Sequence, residues 1–216
     1  FYMERMNIPI SREDAVFKQE YFRYFEDDGD VLKVKSGKEE EEIRTLNLTH
    51  ITIVDPARTV KLQSADSAIL TVAVDRTSRK IFVRDICSKK YYPDELYDEM
   101  FRQIKLFRSF ILGYDAVGLS NFITQPVENE CRVRGIFPLI LELPAKRSKE
   151  ERVASLAPLY RLGYIYHNKS NCGKLEGQLL SFPRSKLWDV MDGLAYINYI
   201  MDKHAVYFDP VDSMDD

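Results

Sequence analysis

The chain has 216 residues, 45% hydrophobic and 30% charged, the balance of a soluble globular protein with one sizeable core, and no apolar run approaches the ~20 residues that span a bilayer. Its net charge of −3 gives no global basic signature, so a nucleic-acid role needs a local basic patch. Cys87, Cys131 and Cys172 are far apart, odd in number and without zinc-ligand spacing, and read as buried or incidental thiols in a reducing compartment.

No signal-peptide pattern opens the chain, and its start at Phe1 is expected of a piece of something longer. Residues 11–25 read as a helix, with Ser11 as N-cap, Asp14 three residues on, and Val16, Phe17, Tyr21, Phe22 and Phe25 as an apolar stripe. The acidic runs at 26–30 and 38–42 flank the short segment Val31-Leu32-Lys33-Val34 and read as solvated linker or hairpin.

From residue 47 the pattern turns to strands. Residues 48–54 form the first, ending in Ile51-Thr52-Ile53-Val54-Asp55-Pro56-Ala57. Four β-favouring residues run into an aspartate there, and Pro56, unable to donate to a ladder, stops the strand near Asp55. Residues 68–74 and 80–86 are the second and third strands, with Asp75-Arg76-Thr77-Ser78 between them as the turn of an antiparallel hairpin. A long amphipathic helix is expected over 94–111, with Leu96, Met100, Ile104, Phe107 and Ile111 on one stripe.

Residues 116–119 read as a short fourth strand and 136–143 as a fifth. Ser148 and Glu151 make a capping box for a helix running to about 162, with Gly163 as its stop. Residues 164–166 read as one more strand, 188–201 as the last helix, and the chain from His204 as a tail. Strands, helix, then alternating strand and helix fit a mixed α/β sheet of the ribonuclease-H-like arrangement.

Two constellations carry chemistry. Asp55 ends a buried strand; Asp66 lies just before the second strand, which brings it near Asp55 if the two strands pair antiparallel; Asp189 and Asp192 share one face of the last helix. Converging carboxylates suit hard divalent cations and metal-dependent phosphodiester hydrolysis. Taken singly, Asp before Pro commonly opens a turn, and acids near a helix start are favoured by the dipole. The second constellation is basic: Lys146, Arg147, Lys149, Arg152 and Arg161, interrupted by Glu150 and Glu151. Such a segment holds phosphates or is a solvated helix face. His50, His167 and His204 are isolated and read as structural, and no Gly-rich phosphate loop occurs.

Together these stretches resemble the nuclease domain of the large subunit of viral and phage DNA-packaging terminases. Glu4-Arg5-Met6-Asn7-Ile8-Pro9 and Phe17-Lys18-Gln19-Glu20 look like the stretch that leaves that family's ATPase domain. Val54-Asp55-Pro56-Ala57 and Ser64-Ala65-Asp66-Ser67-Ala68-Ile69 resemble its first two strands. Lys149-Glu150-Glu151-Arg152, Leu156-Ala157-Pro158-Leu159 and Gly163-Tyr164-Ile165-Tyr166-His167 resemble its basic helix and following strand. Leu175-Glu176-Gly177-Gln178-Leu179, Phe182-Pro183 and Asp189-Val190-Met191-Asp192-Gly193-Leu194-Ala195 resemble its closing segment. The order and spacing of the pieces carry the likeness more than any one of them.

The resemblance implies a ribonuclease-H-like endonuclease that cuts concatemeric DNA during genome packaging, using Mg²⁺ or Mn²⁺ in a two-metal site. It places catalytic roles on Asp55 and Asp189, with Asp192 as a supporting acid and Asp66 as a further metal ligand, and DNA contacts on Lys146, Arg147, Lys149 and Arg152. It divides the chain into a linker region after an ATPase domain (1–45), the nuclease domain (46–204) and a C-terminal tail (205–216). It implies double-stranded DNA, a portal and a small terminase subunit as partners, no membrane, a monomeric isolated domain, and work in the host cell cytoplasm. One departure is expected: where the family has an acid after its fourth strand, the alignment puts Ser120, with Asp115, Glu128 and Glu130 nearby. A hydroxyl replaces a carboxylate poorly as a Mg²⁺ ligand. That substitution favours a DNA-gripping module with little cleavage; another ribonuclease-H-like nuclease, such as a junction resolvase, is the second alternative.

Overall fold

The computed structural model describes residues 15–36, 39–57, 66–115, 120–144 and 146–209, with backbone alone for 36, 39 and 120–124. The strands are β1 (Arg23–Asp27), β2 (Val31–Ser36), β3 (Glu39–Arg44), β4 (Leu48–Asp55), β5 (Ser67–Asp75), β6 (Ile81–Lys89), β7 (Ile111–Asp115), β8 (Leu139–Leu143) and β9 (Ile165–Asn168). The helices are α1 (Pro93–Phe107), α2 (Ser120–Arg134), α3 (Lys149–Ala154), α4 (Ala157–Arg161), α5 (Gly173–Leu180) and α6 (Asp189–Lys203). All the strands join one sheet in the order β3-β2-β1-β9-β6-β5-β4-β7-β8.

The core of that sheet is the expected one. β4, β5 and β6 form an antiparallel meander, and β7 and β8 follow on the other side of β4, parallel to it. This is the ribonuclease-H-like arrangement. β4 is buried along its whole length to Val54, because both faces of the sheet are covered, which is why its sequence reads as a continuous run. On one face Ile51, Ile53 and Ile111 pack under Val190, Leu194, Ile197 and Ile200 of α6. On the other, Val54, Leu112 and Tyr114 meet Leu96, Met100 and Ile104 of α1, and Val127 and Cys131 of α2. The polar members of that second face are satisfied among themselves. Thr52 Oγ1 lies 3.0 Å from Thr71 Oγ1 and 2.8 Å from Ser109 Oγ, and Thr71 donates to Gln103 Oε1 at 2.7 Å.

The remaining strands widen the sheet. β9 lies parallel to β6, and β1 parallel to β9, with β2 and β3 antiparallel beyond. The stretch over 26–42, expected as linker or hairpin, therefore belongs to a three-stranded wing of β1, β2 and β3. The helix expected over 11–25 is absent from residue 15 onward, and residues 11–14 lie outside the described residues. Gln19–Tyr21 is one 3₁₀ turn and β1 follows. Parity explains the correction. Phe22 packs on the α6 side of the sheet and Phe25 on the opposite side, and residues three apart take opposite faces in a strand but one face in a helix.

Three further boundaries move. α1 stops at Phe107, because Arg108 adopts the left-handed conformation (φ 52°), and Ile111 opens β7 and does not extend the helix. The fourth strand, expected at 116–119, falls outside the described residues; the strand beside β4 is β7. The helix expected from the capping box to 162 is two helices, with Pro158 in the first turn of the second. The capping box itself is present, Ser148 Oγ accepting from the Glu151 N–H, and Gly163 stops the second helix at φ +75°. α2 and α5 had no sequence expectation. The chain after α6 makes a 3₁₀ turn, Ala205–Phe208, that buries Phe208, and Tyr207 O accepts from Thr49 Oγ1 at 3.0 Å.

Two expected outcomes follow from this packing. Ala in place of Gly ordinarily stabilises a helix interior by about 1 kcal/mol. At Gly193 the sign reverses, since a Cβ there meets Leu70 Cδ2 at 2.7 Å where α6 crosses β5. Gly193→Ala is expected to cost about 1–3 kcal/mol in urea unfolding. His50 is buried against the Arg84 guanidinium, and burial first and Arg84 second push its pKa down to about 4. A depressed folded pKa contributes stability present above the unfolded value of 6.5 and lost as pH falls towards 4. His50→Gln is therefore expected to remove about 3 kcal/mol of acid sensitivity across that window, read from unfolding curves at pH 7 and pH 4.

Candidate active site

β4 and β7 are parallel neighbours with Val54 opposite Tyr114. The next pair along this register is Asp55 and Asp115, each the last residue of its strand. Side chains alternate along a strand, so Asp55 follows Ile53 and Asp115 follows Gly113 on the face covered by α6. Gly113 allows that cover to come close: a Cβ there would meet Leu143 Cδ1 at 3.1 Å and Ile200 Cδ1 at 3.3 Å. The first turn of α6 then brings Asp189 and Asp192 to the same end of the sheet.

Each acid is held differently. Asp115 Oδ2 accepts from the Tyr196 hydroxyl at 2.8 Å. Asp189 is 3% exposed; its Oδ1 accepts from Gln178 Nε2 at 2.8 Å, and its Oδ2 accepts from Ser88 Oγ and lies 3.4 Å from Lys174 Nζ. Gln178 Oε1 also accepts the N–H groups of Val190 and Met191, which ties α5 to the start of α6. Asp192 is fully buried and takes a two-pronged contact from Arg152, Nε to Oδ1 at 2.9 Å and Nη2 to Oδ2 at 2.8 Å. Lys149 Nζ lies between acids, 2.8 Å from Asp192 Oδ2 and 3.6 Å from Asp55 Oδ2. Asp66 pairs with Lys174 at 2.9 Å, and Lys174 also donates to Ser88 Oγ at 2.6 Å.

Asp55 shows the electrostatic state of the site. Burial pushes its pKa up to about 7 against the pull of Lys149, and Asp115, Asp192 and Asp189 push the same way as burial. A carboxyl so placed favours a proton or another cation. The donor set is hard oxygen throughout, the chemistry that Mg²⁺, Mn²⁺ or similar ions select. Among the described residues, two groups of three ligand-type side chains converge within 4.8 Å: His167–Cys172–Glu176 and Asp85–Cys87–Glu99. The acids at the strand ends, with Lys149 between two of them, are not among these groups.

The residues expected from sequence separate here. Asp55, Asp189 and Asp192 meet at one end of the sheet, and Asp66 joins Asp189 through Lys174. The strand beside β4 is Ile111–Asp115 and ends in an acid, while Ser120, which the sequence alignment put in the acid's place, opens α2. Arg152 does not track DNA from the surface: it is 8% exposed and its guanidinium is engaged by Asp192 and the Arg147 carbonyl. Lys149 turns its ammonium to the acids, while Lys146 and Arg147 are exposed. Asp115 entered the sequence reading only as an acid near Ser120, although Ile111-Leu112-Gly113-Tyr114-Asp115 is an apolar run ended by an acid, as 51–55 is. Sequence reasoning missed Lys174, Gln178, Ser88 and Tyr196, which carry no such signal.

No protein-family model and no curated protein matches the chain. Solved structures do. The large terminase nuclease of thermophilic phage G20c with bound cobalt aligns with a TM-score of 0.55 at 14% identity, over 87% of this chain and 96% of that one. The large terminase nuclease domain of Thermus phage P74-26 gives 0.54 at 15%, over 86% and 96%. The human cytomegalovirus terminase nuclease domain, soaked with manganese, gives 0.52 at 11%, over 74% and 85%. The chain has the fold of terminase large-subunit nuclease domains. Among the described residues no helix is long and apolar enough to cross a membrane.

The Arg152–Asp192 pair has a measurable consequence. Arg152→Ala leaves a fully buried carboxylate with Lys149 as its remaining cation, and is expected to cost about 3–5 kcal/mol in urea unfolding. Replacing the exposed Lys146 and Arg147 by Ala is expected to change stability by less than about 0.5 kcal/mol.

Proposed function

We propose that this chain is a metal-dependent DNA endonuclease, the nuclease domain of a terminase large subunit that cuts concatemeric viral DNA during genome packaging. The observation that carries this reading is the pair Asp55 and Asp115 at the ends of adjacent parallel strands, beneath the helix start that carries Asp189. Asp55, Asp115 and Asp189 would hold Mg²⁺ or Mn²⁺, as one ion or a pair. A bound ion supplies an activated water and charge neutralisation for the leaving oxygen.

The chain's own residues supply the setting. Gln178 and Ser88 orient the Asp189 carboxylate, and the Tyr196 hydroxyl orients Asp115. Asp192 acts through its partners: buried, it fixes Arg152 and aims Lys149 at Asp55, where an ammonium can meet a phosphate. Lys146 and Arg147, exposed just before α3, extend that positive charge towards a DNA backbone. Asp66 positions Lys174 and is a weaker candidate for a ligand. Double-stranded DNA is the substrate on this reading, with a portal and a small terminase subunit as partners in the host cell cytoplasm. The DNA-gripping alternative rests on Ser120; Asp115 at the end of β7 favours the cutting reading over it.

Plasmid cleavage tests the reading. Nicking of supercoiled DNA is expected with Mg²⁺ or Mn²⁺ and not with chelator. Asp55→Asn, Asp115→Asn and Asp189→Asn are each expected to lower the rate by more than about a hundredfold, beyond the usual cost of losing a supporting partner. Ser120→Ala is expected to cut at the parent rate. An Asp115→Asn chain that cuts normally would remove β7 from the site, and preference for a four-way junction over duplex would move the assignment to a resolvase.

A further inference from the structure

A second cluster lies away from the acids, where β9, α4, α5 and the N-terminal wing meet. His167, at 0% exposure, comes from the end of β9, and Cys172 and Glu176 sit one turn apart at the start of α5. A turn from Asn168 to Asn171, closed by the Asn171 N–H on the Asn168 carbonyl, brings them together. One ligand atom from each lies within 4.8 Å of the other two. The Glu176 carboxylate collects the hydrogen bonds: His167 Nδ1 lies 2.8 Å from Oε1, and Cys172 and Tyr24 donate to it as well. The other imidazole nitrogen, Nε2, is 2.8 Å from the Tyr160 hydroxyl.

We infer that His167, Cys172 and Glu176 form a zinc-class metal site that ties the N-terminal wing to the nuclease-like core. One imidazole nitrogen, one thiolate and one carboxylate are the ligand mix of Zn²⁺, unlike the all-oxygen set at the strand ends. Ligand atoms about 2.0–2.3 Å from a common ion fit within the observed spread. Binding displaces the Cys172 thiol proton to solvent. The imidazole proton moves to Nε2, where the Tyr160 oxygen accepts it, the second hydrogen bond that ligating histidines usually make. A water completes a tetrahedral set, and Tyr24 of β1 keeps its hydrogen bond to the Glu176 carboxylate, so fixing Glu176 on the metal holds the wing. The other ligand-type group, Asp85–Cys87–Glu99, is a poorer candidate, since the Arg102 guanidinium already bonds both its acids. The spacing His-x₄-Cys-x₃-Glu is not a familiar zinc pattern, so the cluster is invisible to motif reading.

The inference is independent of the nuclease reading and has its own test. The purified chain is stripped with chelator and titrated with Co²⁺ alone. A thiolate-to-cobalt charge-transfer band saturating at one equivalent is expected; it should be lost in Cys172→Ser and unchanged in Cys87→Ser and Asp55→Asn. Zn²⁺ is expected to displace the band and raise Tm by roughly 5–10 °C in the parent and in Asp55→Asn. If Cys172→Ser does not fold, Glu176→Gln, of the same shape, decides: the band and the Zn²⁺ shift should both weaken. A folded parent without the band, a band that survives Cys172→Ser, or a Zn²⁺ shift undiminished in Glu176→Gln overturns the site.

Discussion

Buried negative charge at one end of the sheet is the constraint that the surrounding elements serve. Five carboxylates, those of Asp55, Asp66, Asp115, Asp189 and Asp192, gather there with three basic partners, Lys149, Arg152 and Lys174. A charge taken out of water costs several kcal/mol unless it is paired and hydrogen-bonded. α3 and α5 are short helices whose chief contribution is to deliver that pairing: Lys149 and Arg152 come from the first, Lys174 and Gln178 from the second. At Asp55, burial outweighs the pull of Lys149 and the neighbouring acids add to it, so the carboxyl rises to about 7.

Placement of the charge depends on how near α6 comes to the sheet. Gly193 on the helix and Gly113 on β7 are the contact points, each with a neighbour inside ordinary van der Waals distance of a would-be Cβ. Close approach sets the helix start above the strand ends, and the first turn carries acids where the helix dipole favours them. The same dipole that makes an acid at this position unremarkable in a sequence also stabilises it where it is needed. Function and bland stability thus select one residue type, which is why Asp189 and Asp192 were ambiguous until their partners were seen.

The sequence disclosed the core strands because β4, β5 and β6 are long, buried and separated by turn residues. It hid β7 because Ile111 continues the helical stripe of α1; only the left-handed backbone at Arg108, invisible to periodicity, separates the two. That one boundary decides which residue ends the strand beside β4. Arg152 was misread for a related reason. Charge on an amphipathic helix is assigned outward by default, and nothing local to Lys149–Ala154 reveals a buried carboxylate forty residues later. Long-range polar pairing of this kind, like the Gln178 bridge to the start of α6, has no sequence period. The wing was misread because Phe22 and Phe25 fit a helical stripe when only one buried surface is assumed, and a sheet covered on both faces offers two.

β9 is where the two halves of the sheet depend on each other. It is parallel to both β6 and β1, and is the strand through which the wing's ladder joins that of the core. Four residues give few ladder bonds, so side chains on both faces reinforce the joint. On one face Arg84 of β6 grips Asp27 of β1 through two contacts, at 2.6 and 2.8 Å, and reaches the Gly29 carbonyl and His50. On the other, Phe22, Tyr160 and His167 pack ring against ring, and Glu176 gathers the polar groups beside them. Arg84 and His167 are each nearly or fully buried, so neither is a surface embellishment. The wing is therefore held by polar groups that must stay satisfied in a dry interior. The same helix, α5, that brings Glu176 to this interior sends Lys174 and Gln178 to the strand-end acids, so one element serves both the joint of the wing and the acid cluster.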